Sequence, residues 1–526
     1  MVTNDEILFT NDPPFIDHLE WEGLNQPYQI GKYEPLKTRL FPGFNNNIKV
    51  FRDDEYRIIG VLSGDFENPL ELEPLQYETL SSYMPRPQRN INFSDIAGEY
   101  EIRFSYKKFN YSYGREGKGS FESDMNISYL RRKFSESVKL GWLTEWFLNG
   151  EKLDIGGTIS YNLCKKYNRR IDKPDYPVLG HSHKLNYLDD DLSQSYYQQQ
   201  SYSKGYIFVE FKDESGEDKC FTIQDVPDNY GPSWSQNVSI EYKNEWWMPS
   251  LEERIKINEI VSFLIGRQLI SIGYTKYDKK GRTIEDYVNN PQISEGIHIR
   301  ELCKKKFKMS PVNTIEGNRW ANHLSVYFKQ LIPNYLALRD ELNFNEVLNR
   351  YWLSKAIPKE AEIIVLAAGL ELLIKSWYKS KKSKTKGVYL PKKEFDNKLK
   401  IGLKLIENEL DGILSLNPEF KDKIFNTVKN SFVMAPSQRN KNFFTEIGLN
   451  IGDIEEEAII YRNKPVHGDI LEDYDKMLKM TLAYLTLVNR TILKILGYEN
   501  EYVDYFRAIE PIPIKDYVRH IDEPIK

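Results

Sequence analysis

An arginine and a histidine separated by four residues are the side chains in this sequence best suited to chemistry on RNA. They are Arg462 and His467, within Tyr461-Arg-Asn-Lys-Pro-Val-His-Gly-Asp469. A neutral histidine can take the proton of a ribose 2′-hydroxyl, and a guanidinium can hold the charge of a pentacoordinate phosphate with two parallel donors. General-base catalysis contributes about 10²–10⁴ in rate. The pair therefore predicts RNA cleavage that needs no metal.

The spacing between Arg462 and His467 is by itself weak evidence for a catalytic pair. About one such pair is expected by chance among the seven histidines, and one is present. Its position adds weight. Asp453-Ile-Glu-Glu456 is expected to cap a short helix that ends near Arg462, since Pro465 stops it. Asp469-Ile-Leu-Glu472 is a second capping box, and the helix N-terminus that it predicts would favour a phosphate beside His467.

A purely structural interpretation of the same residues stays open. Arg462 would then pair with a carboxylate such as Glu457 or Glu371, and His467 would cap a helix. The two interpretations differ in whether the guanidinium and the imidazole share one pocket that a scissile bond can reach.

The second half of the chain has the apolar spacing of helices. The last is the clearest, because Leu478, Leu482 and Leu485 fall on one stripe and Gly497 ends it. The predicted helices are 319–350, 358–380, 393–413, 453–462 and 470–496.

The first half has short aromatic and β-branched runs that turn residues separate, which is typical of strands. The predicted strands are Ile48–Phe51, Tyr56–Leu62, Glu99–Tyr106, Thr158–Tyr161, Gly205–Phe211 and Asn237–Tyr242. Segment 181–204 is polar and aperiodic, so we expect a long exposed loop. Ser250-Leu-Glu-Glu253 is a capping box that predicts a helix to about Arg267, and Leu269–Tyr277 resembles a strand.

We therefore expect an α+β multidomain protein, with a β-rich N-terminal module followed by an all-α helical bundle. The predicted boundaries are 1–315 for the β-rich module, 316–500 for the bundle and 501–526 for a C-terminal tail.

Composition excludes several classes of protein. The 526 residues carry a net charge of −5, with 40% hydrophobic and 28% charged residues, so wholesale disorder is excluded. Three scattered cysteines exclude a disulfide framework and a paired-cysteine zinc site. The start, Met1-Val-Thr-Asn-Asp-Glu6, is acidic where a secretion signal is basic, and no apolar run approaches the roughly 20 residues of a membrane helix. We expect a cytoplasmic protein with no membrane partner.

Two further motifs are better explained by structure than by chemistry. Gly114-Arg-Glu-Gly-Lys-Gly119-Ser120 lacks the lysine that follows the second glycine of a phosphate loop, and it lies between two predicted strands, which favours a hairpin turn. His181, His183 and the aspartates 189–191 are residue types that bind divalent metals, but their place in a predicted loop favours solvated side chains.

A magnesium-dependent nuclease is a second catalytic hypothesis. Pro174-Asp175 and Glu210-Phe-Lys212 have the form of the PD-(D/E)xK pattern, in which two carboxylates hold Mg²⁺ and the lysine positions a water molecule. The pattern is short, and Glu-x-Lys is common on the charged outer face of a strand. Helices that flank a central sheet, which that family has, are not evident here.

A lysine cluster predicts an RNA partner. Eleven lysines and two acids lie between Lys375 and Lys404, a net charge of +9 in an acidic chain. Trp377, Tyr378 and Tyr389 interleave them and would offer faces on which unpaired bases stack. The lysines expected to hold the RNA backbone are Lys379, Lys381, Lys382, Lys384 and Lys386. A solvated loop between two helices is the competing explanation.

The C-terminal half resembles a HEPN domain (higher eukaryotes and prokaryotes nucleotide-binding). The resemblance covers roughly 320–500 and depends on Arg462-Asn463, three residues and then His467-Gly468, before a last long helix. The order of the two halves is similar to that of the ApeA-type bacterial anti-phage proteins, in which a β-rich sensor-like module precedes a HEPN ribonuclease. Gly141-Trp-Leu-Thr-Glu-Trp-Phe147 is similar to a segment of those modules.

The resemblance implies roles and partners. Arg462 and His467 would be catalytic, Asn463 would orient the phosphate or the arginine, and Glu371 would be the acid that orients Arg462. It also implies a homodimer, a phage-derived trigger at the N-terminal module, and cleavage of tRNA that arrests the infected cell, with no cofactor. Pro465 departs from an uninterrupted helical turn and is compatible with a non-catalytic binding or scaffold relative.

Overall fold

The computed structural model describes most of the chain and divides it into two compact units. The first comprises Met1–Met309 and Glu316–Lys329, and the second comprises Ser310–Ile315 and Gln330–Lys526. The residues described are 8–9, 27–29, 44–53, 55–66, 89–95, 98–113, 118–133, 139–150, 159–170, 193–204, 206–226, 232, 234–279, 283–291, 302–303, 309–312, 320–413, 417–463, 473–507 and 518–525.

The first unit is built on antiparallel strands. Their bounds are β1 Leu8–Phe9, β2 Pro27–Gln29, β3 Phe44–Arg52, β4 Ile58–Phe66, β5 Arg89–Asp95, β6 Gly98–Tyr113, β7 Gly119–Lys133, β8 Leu140–Leu148, β9 Ile159–Arg170, β10 Ser193–Lys204, β11 Tyr206–Lys212, β12 Asp218–Asp225, β13 Val238–Lys243, β14 Ile270–Asp278 and β15 Thr283–Asn289.

Twelve of these strands form one sheet, in the order β11-β12-β13-β8-β14-β15-β7-β4-β3-β2, with β5 and β6 attached through β7. The long strand β7 makes this branching possible, because β4 pairs with its first part, β15 with its last part and β6 with nearly its whole length. Strands β1, β9 and β10 form a separate three-stranded sheet.

Strand β8 is the centre of the large sheet, and every residue from Gly141 to Leu148 is buried. It carries the whole of the segment Gly141–Phe147. Helix α1 (Leu251–Ile265) packs against this strand through a buried ion pair, in which Arg254 Nη1 lies 2.9 Å from Glu145 Oε1. The Ser250 capping box is confirmed, since Ser250 Oγ accepts from Glu253 N and Glu253 accepts from Ser250 N.

Each predicted strand coincides with an observed one, apart from residues at the ends such as Tyr56 and Arg57, which precede β4. The predicted runs do not include β5, β7, β8, β12 and β15, and the expected loop at 181–204 is wrong in part. Residues 193–204 form β10, which pairs with β9 along its full length, Ser193 opposite Arg170 and Lys204 opposite Ile159. The polar composition misled the prediction, because backbone pairing satisfies a strand whose side chains are hydrophilic. Residues 171–192 lie outside the described part of the chain.

Helices dominate the second half of the chain. Their bounds are α2 Trp320–Leu338, α3 Phe344–Ala356, α4 Lys359–Lys379, α5 Lys392–Gly412, α6 Pro418–Lys429, α7 Pro436–Glu446, α8 Asp453–Tyr461 and α9 Tyr474–Ile495. The expected outline of a β-rich first half and a helical second half is confirmed. The second unit is not all-α, because β16 (Glu501–Val503) pairs with β17 (Val518–His520).

The core of the second unit lies where α9 packs on both α4 and α8, and where α3 packs on α4. Helix α9 has buried residues on every turn from Met477 to Leu493, polar ones such as Thr486 and Asn489 among them, so it is the central helix. The segment expected as a tail is packed into this unit, since Tyr502, Asp504, Ile521 and Ile525 are buried.

Helix boundaries are where the sequence predictions differ most from the structure. The predicted helix 319–350 is two helices, because the chain turns at residues 339–343 and Asn343 adopts a left-handed conformation with φ 54°. Helices α6 and α7 were not predicted. The final helix begins at Tyr474 rather than 470, with Asp473 as its N-cap, 2.9 Å from Lys476 N.

Candidate active site

Arg462 is held at the end of α8 by an acid from the middle of α4. Its Nη1 lies 2.5 Å from Glu371 Oε1. The arginine side chain is 15% exposed, whereas the glutamate is 45% exposed, so the pair lies at the surface with the arginine on the inner side. A guanidinium carries five N–H donors, and the ion pair with Glu371 uses only those of Nη1.

Tyr484 of α9 lies close to both Arg462 and Glu371. The phenol is buried, and burial raises its pKa, an effect that the nearby Arg462 guanidinium partly opposes and Glu371 reinforces. The phenol is therefore neutral at physiological pH and has a proton to donate. Three helices thus bring an acid, a guanidinium and a neutral phenol together.

A buried ion pair fixes the helix that ends at Arg462. Glu455 of α8 and Arg490 of α9 are both fully buried and bonded to each other. Arg490 Nη2 also donates to the carbonyl oxygens of Asn450 at 3.0 Å and Ile521 at 2.8 Å. Burial raises the pKa of Glu455, and the Arg490 guanidinium works against that rise.

The N-cap of α8 is Gly452 rather than Asp453. Glu455 Oε2 accepts from Gly452 N at 2.6 Å, so the glutamate that binds Arg490 also closes the first turn of the helix. Because α8 has only nine residues, anchoring its first turn in this way also limits the movement of Arg462 at its other end.

The structure describes only part of the motif. Asn463 is exposed and follows Arg462 at the end of the helix. His467 lies in 464–472, outside the described residues, so its distance from Arg462 stays a prediction. The final helix starts at Tyr474 rather than at 470, and the expectation that His467 directly precedes a helix N-terminus stays a prediction, because residues 464–472 lie outside the described part of the chain. Of the two carboxylates weighed as partners of Arg462, Glu371 is the one in contact, whereas Glu457 pairs with Lys476 at 2.9 Å.

The lysine cluster lies at the end of α4, in the loop that follows and on α5. The five lysines expected to bind RNA are all exposed, and they are Lys379, Lys381, Lys382, Lys384 and Lys386. Within the described part of the chain, Lys398 is the one lysine of the eleven that has a carboxylate at ion-pair distance. The surface is therefore rich in exposed ammonium groups that are not held in ion pairs.

Acids near this loop bind its backbone rather than its lysine side chains. Glu446 of α7 accepts from Trp377 Nε1 at 2.9 Å, from Thr385 N at 3.1 Å and from Asn442 Nδ2 at 3.1 Å. Burial acts to raise the pKa of Glu446, but the hydrogen bonds from Thr385 and Trp377 outweigh it and bring that pKa to about 2.

A second acid holds the start of the same loop, because Lys381 N donates to Glu341 Oε1 at 2.7 Å. The Lys386 ammonium group donates to the carbonyl oxygen of Ser380 and so ties the two ends of the loop together. These bonds fix the loop in one shape while its other lysine side chains remain exposed. A positively charged loop that is held in this way is preorganised for an anion.

The expected stacking surface is wrong for two of its three aromatic residues. Trp377 and Tyr378 are buried, because the last turn of α4 points them inward against α7. The Trp377 ring lies edge-on to Phe443, and Tyr378 OH donates to the carbonyl oxygen of Arg439 at 2.7 Å. Tyr389 is exposed and remains available for stacking.

The structure gives the magnesium-nuclease hypothesis no cluster of carboxylates among the described residues. Glu210 and Lys212 lie on β11, at the end of the large sheet, with exposed side chains, and Lys212 pairs with Asp218 at 3.0 Å. Asp175 lies outside the described residues, as do His181, His183 and the aspartates 189–191. Among the residues that are described, no group of three or more His, Cys, Asp or Glu side chains is arranged to hold a metal.

The glycine-rich segment at 114–119 connects paired strands, as the hairpin interpretation predicts. Strands β6 and β7 are antiparallel, and Tyr113 is opposite Gly119. Residues 114–117 themselves lie outside the described part of the chain.

No family model, curated protein or solved structure matches this chain. Within the described residues, no helix is both long and apolar enough to span a bilayer.

Sequence reasoning missed the residues that support the site. The role of Arg490 could have been predicted, because it is the one charged residue in the mostly apolar segment 482–493 and a buried arginine requires a buried acid. The roles of Glu446 and Tyr484 could not have been predicted, since a glutamate near a helix end and a tyrosine in an apolar stripe are common.

Proposed function

We propose that this protein is a metal-independent endoribonuclease of the HEPN class that acts in the cytoplasm in defence against phage. Arg462 would stabilise the charge on the scissile phosphate, and His467 would act as general base or acid. Asn463 would orient the phosphate or the arginine. The active form would be a homodimer, and the RNA would be tRNA.

The observation that carries this proposal is the contact between Glu371 and Arg462. Arg490, which serves the fold, is fully buried in the bundle. Arg462 instead lies at the surface, with a carboxylate and a neutral phenol orienting it. This arrangement supports a role in which the arginine receives a charged group from outside the protein.

The lysine loop, residues 380–391 between α4 and α5, is a second observation that supports the proposal. Its ammonium groups lie within the same compact unit as Arg462, and the loop is preorganised. A polyanion would gain affinity from such a surface without any sequence preference. The N-terminal module would hold the nuclease inactive or sense a phage component.

Substitution of the two motif residues tests the proposal. Wild type, Arg462→Ala, His467→Ala and the control Arg57→Ala would be expressed in bacteria, and the ends of small RNAs would be sequenced after phage challenge. Arg57 is suitable as the control because it pairs with Asp53 at the surface of the first unit. We expect new tRNA ends in wild type and in the control, and none in the two motif variants.

The same experiment separates the alternatives. A non-catalytic binding or scaffold protein would keep its protection against phage after His467→Ala. A magnesium-dependent nuclease would lose activity in EDTA and keep it in both motif variants.

A further inference from the structure

Helix α5 exposes apolar side chains that no described element covers. Of its 21 residues only Phe395 and Leu410 are buried. Ile401 is 78% exposed and Leu405 is 60% exposed, and they lie one helical turn apart on the same side. A monomer would gain free energy by covering these side chains.

A glycine lies beside these two residues. A side chain at Gly402 would have no neighbouring atom within 4 Å. Glycine in the middle of an exposed helix costs about 1 kcal/mol relative to alanine, so its presence calls for a reason. Its small size permits another backbone to approach closely at this point.

The charges of α5 oppose its own dipole. The first half, 392–401, has four lysines against two acids, whereas the second half, 402–412, has one lysine against three acids. A helix is stabilised by acids at its start and by bases at its end, so this order destabilises α5 on its own. Another helix that runs antiparallel beside it would reverse the effect, because each basic start would then lie against an acidic end.

A second copy of α5 has the required distribution of charge and shape. At 100° per residue, Lys398, Ile401, Gly402, Leu405 and Glu409 share one side of the helix. If two copies cross antiparallel with the symmetry axis between residues 403 and 404, Lys398 of each faces Glu409 of the other. Gly402 of each then faces Leu405 of the other, so an apolar side chain fills the space left by the glycine.

We infer that α5 is a self-association surface, at which two copies of this chain pair antiparallel about residues 403 and 404. The inference builds on the homodimer that belongs to the proposed function. Its test measures oligomeric state without RNA, so its failure and the failure of the proposed activity are distinguishable.

Sedimentation equilibrium of the full chain tests the inference. We expect wild type to dimerise at micromolar concentration, and Leu405→Asp to raise the dimer dissociation constant by about a hundredfold or more, because a charge replaces a buried leucine in each copy. Leu251→Asp is the matched control, since Leu251 of α1 is 61% exposed and is not on this surface. We expect that control to dimerise as wild type does.

Charge reversal gives a test that does not depend on how Leu405→Asp folds. Lys398→Glu and Glu409→Lys should each raise the dissociation constant by about tenfold, because each places like charges opposite each other. Lys398→Glu also breaks the 2.7 Å pair that Lys398 makes with Glu394 of its own helix, so the double variant is the decisive one. The double variant should restore wild-type affinity, which a change in helix stability alone would not do.

Three results would overturn the inference. They are a monomeric wild type, a dimer that Leu405→Asp leaves unchanged, and a double charge reversal as weak as the single ones. A monomeric wild type that binds vesicles containing phosphatidylserine through Leu405 would assign this surface to a membrane instead.

Discussion

Glu371 and Arg462 are in contact although 90 residues separate them, with Oε1 of the first 2.5 Å from Nη1 of the second. The acid comes from the middle of a long helix and the arginine from the end of a short one. The short helix is itself anchored by the buried pair of Glu455 and Arg490. The direction of the guanidinium is therefore set by two ion pairs, of which one is exposed to solvent and the other is not.

Glu371→Gln should reduce RNA cleavage without unfolding the protein. The amide keeps the size of the side chain but loses the charge that orients Arg462, so we expect kcat to fall by about tenfold with a smaller change in KM. The pair is partly exposed, so the free energy of unfolding should change by about 1 kcal/mol at most. Single-turnover cleavage and urea denaturation measure the two effects.

Glu346→Gln is the matched control for this variant, because Glu346 also pairs with an arginine on an exposed helix face, Arg350 at 3.8 Å. Equal cleavage rates in the two variants would remove the assigned role of Glu371.

Replacing lysines of the loop should weaken RNA binding and lower its dependence on salt. Removal of one lysine–phosphate ion pair reduces the slope of log affinity against log salt by about 0.7 for a single strand and about 0.9 for a duplex. We expect Lys381→Ala and Lys384→Ala to lower the slope by this amount each. Lys441→Ala should not, because Lys441 already pairs with Glu456 at 3.1 Å. Filter binding over a range of salt concentrations measures the slope, and an unchanged slope would exclude these lysines from the RNA-binding surface.

The order of the lysine loop should depend on acid pH through Glu446. The pKa of this carboxyl is lowered from 4.5 to about 2, so its stabilising effect is complete above its ordinary value and is lost as pH falls towards about 2. Hydrogen-exchange protection of the Lys384 and Thr385 amides, corrected for the intrinsic rate, should fall over this interval in wild type. In Glu446→Gln the protection should be low throughout. A wild-type profile that matches the variant would contradict the assignment.

Removing Arg490 should destabilise the second unit strongly. Arg490→Met leaves Glu455 buried without its partner, which costs about 3–5 kcal/mol. The double variant Glu455→Leu/Arg490→Met should recover part of that stability, because no uncompensated charge is then left inside. Equal destabilisation in the single and double variants, measured by urea denaturation, would show that the charge is not the cause.

Local signals predicted the outline of the fold. Aromatic and β-branched runs predicted six of the twelve strands of the large sheet, β3, β4, β6, β11, β13 and β14, and Ser250 predicted the start of α1 correctly. Local signals failed where long-range contacts decide. Strand β10 is polar and forms because β9 lies beside it, and the start of α8 depends on the carboxylate of Glu455 returning to Gly452.

For the candidate site, the sequence predicted the residues themselves but not the contacts that hold them in place. Arg462 and Glu371 were both named, and their contact joins two helices that local patterns cannot relate. Trp377 and Tyr378 were expected to be outside because lysines surround them. The periodicity of α4 turns them inward, where Glu446 and Arg439 bind them.

The short strand β17 has a practical consequence for dissecting the chain. Ile521 supplies the carbonyl oxygen that Arg490 binds, and Pro524 lies against Gly452 at the start of α8. A truncation at residue 500 would remove both, and with them part of the support for Arg462. A fragment made for enzymology should therefore extend to residue 525, and a purification handle should follow a spacer there.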